Sequence, residues 1–184
     1  MTDTAAQDTD VIILGAGPVG LTLHLALAAR GIRSRLLERR PLAALQADPR
    51  VLALSHGARQ LLEQIDSWPE HAATAIENIH ISQRAGFGRT VLDRAEYGLP
   101  ALGYVVRYRD LTAALCRRLA PAAVLAESEV IAVQETPAGV QVSIRQAGAI
   151  QTLRATILVH AEGTPGNDPA VSVREYHQHA VICE

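Results

Sequence analysis

Apolar residues along this 184-residue chain fall into two patterns, unbroken runs and spaced repeats, and their alternation predicts the architecture. Val11-Ile12-Ile13-Leu14 is a continuous aliphatic run, the mark of a parallel strand covered on both faces. After a glycine-rich turn, Leu21, Leu25 and Ala28 recur at i, i+4 and i+7 and predict a helix with one apolar face, ended by Gly31. Arg33 to Glu38 predicts a second strand, with Leu36 and Leu37 buried and Glu38 at its carboxyl end. Pro41 to Pro49 turns to Ala, Leu, Gln, Asp and Pro and predicts a loop. Ser55 is placed to cap a helix carrying Leu61, Leu62 and Ile65, ended near Trp68-Pro69.

The second half changes style. Ile76 to Gln83 alternates, and Gly86 and Gly88 separate it from Thr90-Val91-Leu92, which predicts an antiparallel excursion. Gly103-Tyr104-Val105-Val106 leads into a helix from about Arg109 to Leu119, with Leu111, Leu115 and Leu119 four apart. Val130 to Glu135 and Val140 to Arg145 alternate around Thr136-Pro137-Ala138-Gly139 and predict a hairpin, a small antiparallel flap on the crossover. Ile157-Leu158-Val159 reads as a short parallel-type strand, and Val171 to Glu184 alternates as a strand would. The fold class is therefore α/β, a parallel sheet with helices and antiparallel additions.

Chemistry gathers at the first crossover. Gly15, Gly17 and Gly20 form a GxGxxG turn between strand and helix, and Glu38 follows 18 residues after Gly20. Glycines there let backbone N–H groups approach phosphate oxygens, the helix dipole favours the pyrophosphate charge, and a carboxylate at that spacing accepts hydrogen bonds from ribose hydroxyls. A carboxylate at 38 also repels a 2′-phosphate, which disfavours NADP in this pocket, whereas FAD and NAD share the adenosine diphosphate half and both remain open.

Composition narrows the partners. Lys+Arg 17 against Asp+Glu 19 gives a formal charge of −2, without the basic excess of a nucleic-acid surface, so a small molecule is the expected partner. Cys116 and Cys183 stand far apart, outside any CxxC spacing, which argues against a disulfide framework and for a reducing, cytoplasmic setting. Residues 1–9 are polar, lack signal-peptide regions and predict a frayed tail. No apolar stretch reaches the roughly 18 residues of a membrane span. His177 and His179 share a strand face but lack an evident third ligand, so no metal site is expected. His56 opens the helix that Ser55 caps, where a capping or loop role outweighs general-base chemistry, and Cys116 reads as helix packing.

Four segments in order, ERR at Glu38 to Arg40, DPRVLALSHGARQLLEQIDSW at Asp48 to Trp68, LGYVVRYRDL at Leu102 to Leu111, and ILVHAEGTPG at Ile157 to Gly166, carry a further signal. Together they resemble the flavoprotein aromatic hydroxylases related to para-hydroxybenzoate hydroxylase, above all the bacterial ubiquinone-biosynthesis hydroxylases. The resemblance covers the chain after residue 9 and is most specific in RVLALSHGARQLLEQIDSW. It implies a Rossmann-like FAD-binding domain over 10–70 and 101–170, an incomplete antiparallel substrate domain over 71–100 and 171–184, and a tail over 1–9. It implies further that FAD occupies the glycine motif, that NAD(P)H visits as reductant, and that O2 supplies one oxygen to an aromatic substrate. For the ubiquinone branch that substrate is a polyprenyl phenol, with the protein peripheral to the inner membrane or associated with a ubiquinone-forming complex.

Carried over by position, Gly15, Gly17 and Gly20 cradle the FAD pyrophosphate, Glu38 holds the adenosine ribose and Arg39 flanks the adenine. Arg50 resembles the arginine reaching the flavin end. Arg109 resembles one that contacts FAD, or is an exposed helix-start residue. Val130 meets the adenine through its backbone, and Glu162-Gly163 stands where an Asp-Gly pair is usual, its extra methylene moving the carboxylate outward. Arg107 also departs from the acidic or amide residue common there. No catalytic residue is assigned. The family's second FAD motif, a Gly-Asp pair, is not Gly166-Asn167-Asp168, so the sequence is expected to be the N-terminal portion of a longer enzyme. An NAD-dependent oxidoreductase and a non-catalytic FAD-binding remnant are the alternatives.

Overall fold

The structure is a computed structural model that describes residues 7–83, 86–120, 122–163 and 171–177. Its strands are β1 Gln7–Asp8, β2 Val11–Leu14, β3 Ser34–Leu37, β4 Val51–Ser55, β5 Ala73–Ile76, β6 Asn78–Ser82, β7 Arg89–Asp93, β8 Gly103–Arg107, β9 Val124–Leu125, β10 Ser128–Thr136, β11 Gly139–Gln146, β12 Ala149–Ala155 and β13 Ile157–His160. The α-helices are α1 Pro18–Ala28, α2 Leu42–Gln46, α3 His56–Gln64 and α4 Tyr108–Cys116.

A four-stranded parallel sheet in the order β13-β2-β3-β9 is the centre. The aliphatic run of β2 is explained by what covers it. Val11 and Ile13 belong to a core shared with Leu21 and Leu25 of α1 and Leu111 and Leu115 of α4. Ile12 and Leu14 point the other way, into a second core with Val142, Ile144 and Leu153 of the antiparallel layer. Side chains of successive strand residues project to opposite faces, so a strand between two apolar layers has no position left for a polar residue.

That antiparallel layer is a four-stranded sheet in the order β1-β12-β11-β10. The hairpin read from the sequence is present and longer, and β12 is a third strand that the alternation of 149–155 did not reveal. Val140, Val142 and Ile144 are buried at i, i+2 and i+4, the period a one-sided sheet requires. The expected tail is corrected at its end, because Gln7 and Asp8 pair in parallel with Leu153 and Arg154.

Three further expectations change. The loop at 41–49 contains α2: Leu, Ala and Gln are strong helix formers, Pro41 sits where its fixed φ starts the helix, and Leu45 is fully buried. The alternating run at 76–83 divides at Glu77, with β5 pairing to β8 in a β4-β8-β5 sheet and β6 pairing to β7 in a separate ribbon. Val171 to His177 form no strand, are exposed and pair with no strand, and His177 has a φ of 52° that interrupts extension. The remainder of that predicted strand, with His179 and Cys183, and Gly166-Asn167-Asp168 lie outside the described residues.

The capped helix is as read: Ser55 Oγ accepts the Ala58 N–H at 3.1 Å and α3 follows, ending at Gln64 rather than at Trp68. Cys116 is half-buried against the first core, and burial pushes its thiol up, away from the reactive thiolate. Among the described residues no helix is long and apolar enough to cross a membrane.

Candidate functional site

A cleft of ≈ 980 Å³ opens at the carboxyl ends of β2 and β3, at the large end of the roughly 300–1,000 Å³ typical of ligand sites. Ligands of parallel α/β sheets bind in this place, because helix N-termini and loops converge there.

The floor is the glycine turn. Gly15 adopts φ 96°, its N–H donates to the Leu37 carbonyl at 2.8 Å, and a Cβ there would lie 2.6 Å from the Ala161 carbonyl oxygen. A Cβ on Gly20 would collide with the Gly15 carbonyl oxygen, so α1 can seat this close to the turn only without a side chain. Gly17 is the N-cap of α1; no side chain caps it, and the first turn carries no acidic residue. The positive end of α1 therefore faces the cleft without a carboxylate of its own, and a diphosphate fits that vacancy of charge.

Glu38 forms one wall. It is buried, with Oε2 accepting the Ala16 N–H at 3.0 Å and Oε1 accepting the Arg40 N–H at 2.9 Å and Nε at 3.3 Å. Its own backbone is knitted in as well, N–H to the Leu125 carbonyl at 3.0 Å and carbonyl to the Ser128 N–H at 2.9 Å. The carboxylate is thus fixed beside the turn, where it can exchange partners with sugar hydroxyls.

Opposite lie Arg50 and Tyr108. Arg50 forks onto Asp48 at 2.7 to 3.0 Å, and its guanidinium sits 4.6 Å from the centre of the Tyr108 ring. These bonds hold the Asp48 carboxyl below its usual range, whereas burial pushes the Tyr108 phenol up against the opposing pull of Arg50 and Arg40. Val130 lines the cleft beside Ser128 and Glu129, and β10 shifts register between Val130 and Ala132, an irregularity of the kind that re-aims a strand near a site.

Of the residues singled out from the sequence, Gly15, Gly17, Glu38, Arg39, Arg50, Val130, Glu162 and Gly163 line this one cleft, and Gly20 backs it. Arg109 does not reach it. On α4, Tyr108 and Leu111 face the cleft three residues apart, which turns the intervening Arg109 outward, where it is 53% exposed with its Nε 3.8 Å from Asp110. Glu162 turns its Oε2 to His160 Nδ1 at 3.2 Å, a contact made at the rim. Arg40 and Tyr108 are lining residues that sequence reasoning missed; both lay inside quoted segments, Arg40 in ERR and Tyr108 in LGYVVRYRDL, where neither was singled out. Among the described residues no group of His, Cys, Asp and Glu is placed to hold a metal.

Comparison with known proteins agrees with this geometry. A family model described as FAD binding domain matches residues 8–177. Ubiquinone hydroxylase UbiL of Rhodospirillum rubrum is 31% identical over 170 residues, covering 89% of this chain and 39% of that protein. The 3-demethoxyubiquinol 3-hydroxylase of Escherichia coli is 32% identical over 122 residues, covering 61% of this chain and 30% of that one. Among solved structures, the flavin-dependent monooxygenase PieE in complex with FAD and substrate superposes with a TM-score of 0.69 at 20% identity, covering 86% of this chain and 31% of PieE. At that identity the likeness speaks for the fold, a Rossmann-like α/β arrangement. The chain spans well under half the length of these relatives.

Proposed function

This chain belongs to the FAD binding domain family, and we propose that it forms the cofactor-holding portion of a flavin-dependent aromatic hydroxylase acting on a polyprenyl phenol in ubiquinone formation. The observation that carries the reading is the cleft itself, in which an uncapped helix N-terminus, a glycine turn and a fixed carboxylate converge. The similarity to two ubiquinone-pathway hydroxylases supports the choice of substrate class.

FAD, when bound, supplies the redox and oxygen chemistry, with NAD(P)H as reductant. The chain's own residues bind and orient. With FAD bound, the N–H groups at the start of α1 would face the diphosphate, Gly15 and Gly20 would allow the backbone to approach it, Glu38 would accept hydrogen bonds from the ribose hydroxyls, Arg39 and Val130 would border the adenine, and Arg50 would stand at the diphosphate on the side toward the flavin. Glu162 and Gly163 close the cleft beside β13. The division into a cofactor-holding part at 10–70 and 101–170 and a substrate-facing part at 71–100 and 171–184 belongs to the same proposal, as does a cytoplasmic protein working peripherally at the inner membrane. β5 is hydrogen-bonded to β8, so the two parts would share a sheet.

Two measurements test the reading. Titration with FAD, followed by flavin fluorescence, is expected to saturate with one FAD per chain; no saturation would refute the cofactor assignment. Deletion of the gene is expected to accumulate a polyprenyl phenol lacking one ring hydroxyl, read by mass spectrometry, and an unchanged quinone profile would refute the substrate assignment.

A further inference from the structure

We propose that Tyr108 is a positioning residue for the diphosphate, holding the Arg50 guanidinium with its ring and setting its hydroxyl against the glycine turn. The inference rests on the reading that a dinucleotide diphosphate occupies this cleft.

Three contacts fix the residue. Its backbone N–H donates to the Arg50 carbonyl at 2.8 Å, which continues the β4-β8 pairing into the first residue of α4. Its ring lies 4.6 Å under the Arg50 guanidinium. Its hydroxyl oxygen stands 3.2 Å from the position a Cβ on Gly17 would take, so the phenol tip borders the N-cap of α1. With only 5% of its surface exposed, Tyr108 has little freedom to leave this arrangement.

Arg50 itself is 62% exposed, and a free arginine there would sample many rotamers. Two neighbours reduce that freedom, the Asp48 carboxylate at its edge and the Tyr108 ring on its face. Only the ring does so without neutralising the charge that an anion would meet. Asp48 takes the Nε and Nη2 edge of the guanidinium, and a guanidinium held flat on an aromatic ring keeps its remaining Nη1 and Nη2 N–H groups in one plane, a geometry that suits contact with phosphate oxygens. Arg40 adds a second cation lining the same cleft, held by the Glu38 carboxylate, and its charge, like that of Arg50, opposes the rise that burial imposes on the Tyr108 phenol. Tyr108 therefore stands between two arginines and the uncapped helix N-terminus, and couples them.

The test compares Tyr108→Leu, Tyr108→Phe, Arg50→Ala and the Tyr108→Leu/Arg50→Ala double variant in titrations with FAD and with ADP, which carries the diphosphate without flavin. Tyr108→Leu is expected to weaken both ligands by about tenfold, the size of a partly desolvated cation–π contact. In the Arg50→Ala background its effect should shrink to the loss seen for Tyr108→Phe, because the ring acts through that arginine, and both single variants should flatten the dependence of FAD binding on ionic strength. Tyr108→Phe keeps the ring and is expected to lose about threefold or less; if Tyr108→Leu does not fold, Tyr108→Met, which fills the site without a ring face, replaces it with the same expected loss and the same double variant. Unchanged affinity in a folded Tyr108→Leu protein, or additive losses in the double variant, would overturn the proposal. Failure of the unaltered protein to bind either ligand would instead refute the cofactor assignment on which it rests.

Discussion

Substituting Gly15 by alanine tests how the turn is built. Two separate costs apply. The residue sits at φ 96°, where an L side chain is strained by roughly 1–2 kcal/mol. The new Cβ would also lie 2.6 Å from the Ala161 carbonyl oxygen and 2.9 Å from its carbon, backbone atoms that cannot rotate away. To relieve the contact, the end of β13 must retreat, although the Ala161 N–H is bonded to the Leu14 carbonyl at 2.8 Å. Overpacking of that kind costs about 1–3 kcal/mol, so the total is about 2–5 kcal/mol. A protein of this size should lose roughly 5–15 °C in Tm. Gly31→Ala is the control, since Gly31 has φ 73° with nothing within 4 Å of its would-be Cβ, and it should cost only about 1 kcal/mol. Thermal and urea unfolding of both variants measure the difference, and FAD titration of Gly15→Ala should show weakened binding because Glu162 and Gly163 move with β13. Equal destabilisation by the two substitutions would refute the steric part of the reasoning.

Glu38→Gln should lower FAD affinity about tenfold and shift the urea midpoint down, since the charge-assisted bonds to the Ala16 N–H and Arg40 become neutral ones. Leu45→Ala should cost about 2–5 kcal/mol in urea unfolding, because Leu45 is fully buried; a surface-loop residue would cost far less. Burial, reinforced by the Arg35 charge, depresses the pKa of His24 below its ordinary value. The unfolded chain then binds the proton more readily, so stability is full above the ordinary histidine value of about 6.5 and declines as pH falls below it. Urea midpoints between pH 5 and 8 should show this slope, and His24→Gln should flatten it.

How far residues alone disclose this protein differs from element to element. The β2-α1-β3 unit was readable because each of its features is local: a run with no polar position, a turn that only glycine permits, a helix stripe, a carboxylate at a set distance. The capping serine and the hairpin were readable for the same reason. What was missed is not local. β12 exists because β11 offers an edge to pair with, β1 because β12 then offers its other edge, and α2 because Leu45 has a core to enter. The break at Glu77 follows from two different partners, β8 and β7, competing for adjacent residues. The alternation at Val171 to His177 found no partner and made no strand.

The candidate site divides along the same line. The sequence by itself determined which groups the cleft offers, a glycine turn, a carboxylate and nearby arginines, because those depend on residue type and spacing. Only the tertiary structure decided which arginines line the cleft. Helical rotation turned Arg109 outward, and sheet pairing brought Arg50 over Tyr108, residues 58 positions apart whose relation is fixed by the β4-β8 register and by no signal in either segment.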